Sequence, residues 1–149
     1  MKLQKQPNRW SCLPTSFAIL LNIDVSNIFD FLGHDGSDIL WPDLDDPYCR
    51  RSFHLQEMVN YCLSTNHCVT TVTPKLGLVP SGSDDVHVYE NILFPHYLHY
   101  YNGVMSGVTE LDKPHAVVRY SREIFDPTSG ELLEGEFSVN LYHIVHKLM

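Results

Sequence analysis

Positive charge is scarce in these 149 residues: ten Lys and Arg stand against 18 Asp and Glu, a formal charge of -8 with the nine histidines neutral. A surface that acidic repels phosphate backbones, so nucleic acid is not an expected partner. Cysteine is also sparse. Cys12, Cys49, Cys62 and Cys68 include no CxxC pair of the kind that serves redox and zinc sites, and they read as reduced thiols. The apolar run Phe17 to Leu21 falls far short of the roughly 18 residues a membrane span needs, and no signal peptide is read in the polar stretch Met1 to Arg9. The expected location is cytoplasmic, or one reached by a route independent of a signal. Around Gly82, Gly103 and Gly107 neither GxxxxGK[ST] nor GxGxxG occurs, so no nucleotide cofactor is expected.

What is present is a single domain's worth of apolar material. With 44% hydrophobic residues and no repeat or long linker, the chain should bury roughly two-thirds of its unfolded surface. Residues 12 to 22, CLPTSFAILLN, read as a buried helix with Pro14 in the first turn, where its missing N–H costs little. Ser26 is the expected cap of a second helix ending at Gly33, and residues 34 to 51 read as an acidic surface loop. Apolar residues at spacings of three and four predict a third helix over 53 to 63, with His54 and Glu57 as its capping arrangement. A strand is expected at 69 to 73, a turn at 80 to 85, and a helix capped by Ser83 from Val86 to Leu93, interrupted by Pro95. Strands follow at 101 to 108, 115 to 121, 124 to 125 and 137 to 148, the last with imperfect alternation. Helices first and an antiparallel sheet afterwards make an α+β domain, with a helical lobe over about 1 to 66 and a strand-rich lobe over about 67 to 149.

A thiol at a helix N-terminus faces unpaired N–H groups and the positive end of the helix dipole, which favour its thiolate. Cys12 has that placement. His115 opens a predicted strand, and Asp126 ends the next one eleven residues later, so a hairpin can return the carboxylate beside the imidazole. One ring nitrogen then faces Asp126 and the other a thiol. Gln6, six residues before Cys12, can supply an amide N–H₂ to an oxyanion beside the backbone N–H of Cys12.

QPNRWSC at 6 to 12 before an apolar helix, with PHAVVRY at 114 to 120 and FDP at 125 to 127, resembles the papain-like cysteine peptidases. The similarity is to their compact bacterial and phage domains, related to the bacteriocin-processing peptidases of ABC exporters. It implies helices carrying the nucleophile packed on an antiparallel sheet carrying the histidine and carboxylate. The implied roles are nucleophile for Cys12, base for His115, orienting carboxylate for Asp126 and oxyanion donor for Gln6. Ser11 and Leu13 flank Cys12, where the family usually has a glycine or aspartate before the nucleophile and a small or aromatic residue after it. The expected substrate is a polypeptide or a related amide. Glutamine deamidases and acyltransferases use a related Cys-His core, and a non-catalytic protein-binding module is the competing class.

Other polar clusters read as structural. Cys62, His67 and Cys68 match no familiar zinc spacing, and Asp35, Asp38, Asp43, Asp45 and Asp46 lack the order of a calcium loop, so no metal is expected. YLHYYNG at 97 to 103 suits either a cleft or partner surface or core and edge packing.

Overall fold

The computed structural model describes residues 1–38, 52–78 and 87–148. In chain order the elements are α1 (Cys12–Leu21), α2 (Val25–Leu32), α3 (Leu55–Ser64), β1 (His67–Val72), β2 (Lys75–Leu78), β3 (His87–Glu90), α4 (Phe94–Tyr100), β4 (Gly103–Thr109), β5 (Pro114–Tyr120), β6 (Glu123–Asp126), β7 (Glu131–Leu132) and β8 (Phe137–Lys147). An α+β architecture results. Six strands form an antiparallel sheet in the order β1-β8-β4-β5-β6-β7, and β2 pairs with β3 as a separate hairpin.

Alternation along the strands divides the core between the two faces of the sheet. Val104 and Ala116 pack with Phe17, Ala18, Ile28 and Met58 of the three N-terminal helices, and Val118 packs on Ile19. Met105, Val117, Tyr142 and Ile144 gather on the other side with Phe94, Tyr97 and Leu98 of α4. Because both faces of the central strands are covered, they read in sequence as continuous apolar runs rather than strict alternations.

Local chemistry sets the helix ends. α1 stops at Asn22, which takes a left-handed conformation (φ 62°) that lets its N–H close on Ala18 and Ile19 carbonyls. The cap of α2 is Asp24, not Ser26: Asp24 is extended, helical backbone begins at Val25, and Ser26 lies inside the first turn. The side chain of Gln4 does the capping work from outside, its Oε1 accepting from the Val25 N–H at 2.9 Å. At α3, Glu57 Oε1 accepts from the His54 N–H at 2.8 Å, the reciprocal half of the expected cap.

The helix expected over Val86 to Leu93 does not form; His87–Glu90 is a strand paired to β2. Val88 and Tyr89 are strand formers. Asn91 then breaks the chain direction, its Nδ2 donating to Thr73 O at 2.9 Å and its Oδ1 accepting from Leu93 N–H at 3.2 Å. Pro95 starts α4 rather than interrupting a helix, sitting in the first turn where no donor is needed. Ser83 and the 80 to 85 turn lie outside the described residues, as does the part of the acidic loop from 39 to 51. Among the described residues no helix is long and apolar enough to cross a membrane.

Candidate active site

Cys12 occupies the first turn of α1, whose initial N–H groups have no intrahelical acceptor. The turn before it is built by small polar side chains: Ser11 Oγ donates to Asn8 O at 3.0 Å, and Asn8 Oδ1 accepts from the Trp10 N–H at 3.0 Å. One helical turn beyond Cys12, the buried Ser16 donates to Ala116 O at 3.2 Å. Residues at i and i+4 share a helix face, and Ala116 is the residue after His115. This bond therefore registers the cysteine end of α1 against the histidine end of β5.

His115 and Asp126 are joined as the hairpin spacing requires, Nε2 to Oδ1 at 2.7 Å, with the two side chains only 12% and 20% exposed. The same Oδ1 accepts from the Thr128 N–H at 2.9 Å, so the carboxylate is held by its own turn while it holds the ring. Burial pushes the imidazole down, but the Cys12 thiol and the Asp126 carboxylate, as hydrogen-bonding and charge partners, leave it above the ordinary histidine value. For Asp126, burial pushes upward; the bond from His115 and the Thr128 amide bring the carboxyl below its usual range. With Nε2 committed to Asp126, Nδ1 remains for the thiol.

Cys12 is partly exposed and opens, with His115, onto a cavity of about 390 Å³ walled by Trp10, Leu13, Phe53 and Asn140. Phe53 is fixed by stacking on His34 (4.6 Å, 18°) and Phe29 (5.6 Å, 11°). Glu57, beyond its capping bond, holds His34 through Oε2 at 2.6 Å, so the α3 cap also braces this wall. Cys62 contrasts with Cys12: it is fully buried, and burial, reinforced by Cys68, pushes its thiol up to about 12.

Gln6 is brought to the turn behind the histidine rather than into the cavity wall. Its N–H donates to Pro127 O at 2.7 Å and its Oε1 accepts from Thr128 Oγ1 at 3.5 Å; no hydrogen bond joins it to Cys12. Two contributors were not singled out in the sequence. Thr128 acts through its amide, which any non-proline residue would provide. Asn140 enters the wall through an irregularity in β8, for which the imperfect alternation of 137 to 148 was the one available sign. Among the described residues no group of three or more His, Cys, Asp or Glu side chains converges as a metal site. No protein-family model matches the chain, and comparison with curated proteins finds no match either.

Proposed function

We propose that the chain is a papain-like thiol hydrolase acting on peptide or related amide bonds. The observation that carries this reading is the imidazole of His115, anchored by Asp126 at 2.7 Å and partnered by the Cys12 thiol in an open cleft. His115 takes the thiol proton, and the sulfur attacks the amide carbonyl. The resulting oxyanion is met by the backbone N–H of Cys12 at the helix start. Protonated His115 passes its proton to the departing amine, leaving a thioester on Cys12. Water then attacks the thioester with His115 as base, releasing the acid and restoring the thiol. Asp126 keeps one tautomer in place and stabilises the imidazolium through both steps.

Alkylation by iodoacetamide tests the pair without knowledge of the substrate. Cys68 is a free, partly exposed thiol in the same molecule and serves as the internal reference. At neutral pH Cys12 should be modified about tenfold or more faster than Cys68, and His115→Ala should remove that advantage. Equal rates for the two thiols in the unaltered protein would defeat the proposal.

A further inference from the structure

Along β4 the pairing with β8 steps from Ser106 opposite Leu141 to Gly107 opposite Val139, which leaves Asn140 unpaired in a β-bulge. Gly107 is obligatory there, because a Cβ would lie 1.9 Å from the Ser138 carbonyl oxygen. The bulge delivers Asn140, exposed and without a side-chain hydrogen bond among the described residues, to a wall shared by two cavities. One is the cavity of Cys12 and His115. The other, of about 480 Å³, is lined by Thr73, Pro74, Lys75, Ser138 and Val139. Among the described residues Lys75 is the one charged side chain in that lining, and its cross-strand neighbour Glu90 does not reach it as an ion pair.

We infer that the two cavities are a single groove for an extended polypeptide, with Asn140 as the substrate-contacting residue on the ridge between them and Lys75 selecting an acidic side chain in the far cavity. A carboxamide offers one acceptor and two donors, which match the N–H and C=O of a passing peptide unit. The inference rests on the proposed hydrolase and narrows its substrate to an extended chain carrying an acidic residue away from the bond that breaks.

Internally quenched peptide pools of randomised sequence, four and ten residues long, provide the test, with a third ten-residue pool lacking Asp and Glu. The longer pool should be cleaved with kcat/KM about tenfold above the shorter, and omission of the acids should lower it several-fold. On a ten-residue peptide drawn from the pool, Asn140→Ala should raise KM with little change in kcat, Asn140→Gln should restore part of the loss, and Lys75→Ala should erase the preference for acids. Thermal melts establish that each variant is folded. Equal cleavage of the two lengths, a length advantage that survives in folded Asn140→Ala, or cleavage of neither pool overturns the inference. Where Cys12 alkylation still depends on His115, such a result leaves the proposed hydrolase standing; loss of that dependence removes both.

Discussion

Two histidines on strands that both flank β4 lie out of bulk water and titrate in opposite directions. His143 on β8 is buried against Phe17, its Nδ1 bonded to Thr71 Oγ1 at 2.9 Å and its Nε2 to Ser106 Oγ at 3.0 Å. Burial, with only neutral hydroxyls as partners, pushes it down to about 4. His115 on β5 loses water too, yet a carboxylate and a thiol hold it above the ordinary value. Desolvation alone favours the neutral ring; an anionic partner favours the imidazolium. The neutral ring of His143 has one donor and one acceptor, and two hydroxyls satisfy both without charge. It ties β1 to β4 across β8, a structural role.

Removing the anion from His115 should have the largest effect. Asp126→Asn keeps the shape and removes the charge, and hydrolysis of a cleaved peptide should fall by about 10² to 10⁴. The linked stability has two opposite signs. The part due to the raised His115 is fully present below about pH 6.5 and is lost as pH rises through the raised value; the part due to the lowered Asp126 is present above about pH 4 and is lost as pH falls through the lowered value. The difference in stability between the unaltered protein and Asp126→Asn should therefore be greatest from about pH 4 to 6.5, measured by urea unfolding. A difference that grew steadily above pH 7 would contradict the assignment.

His143 should show the reverse dependence. Its unfolded ring accepts a proton near pH 6.5 while the native ring refuses one until about 4, so its contribution falls as pH drops across that interval, by about 3 kcal/mol in all. His143→Gln should be less stable at neutral pH but should flatten the acid limb of the unfolding curve. An acid limb of unchanged slope would show that other groups set it. The smallest effect is expected from Thr71→Val, which leaves Nδ1 of His143 unpaired and should cost about 1 to 2 kcal/mol at neutral pH with no change in Cys12 alkylation.

The candidate site was legible where its residues are tied to local structure. Cys12 was marked by a polar turn running into an apolar helix, and His115 with Asp126 by a strand, a tight reversal and an Asp-Pro turn, because those patterns are written in neighbouring residues. His143 was not legible: its place in the core depends on hydroxyls from Thr71 and Ser106, far away in the chain. The misread helix at 86 to 93 fails for the same reason, since His87–Glu90 becomes a strand by finding β2 as its partner. Pro95 was read for its local breaking tendency, without the bond from Asn91 to the Thr73 carbonyl that fixes where the break falls.

By itself the sequence determined an acidic α+β domain, the helix that presents Cys12, the strands that carry His115 and Asp126, and the absence of nucleotide-loop motifs. These follow from composition, periodicity and turn chemistry, which act over a few residues. Only the tertiary structure decided that Ser16 would lock α1 to β5 and set the thiol beside the ring, that Gln6 would rest against Thr128, and that a bulge would bring Asn140 to the wall between two cavities. Each of these depends on strand register or on packing between distant segments, and a shift of one residue in register moves every side chain of a strand to the opposite face.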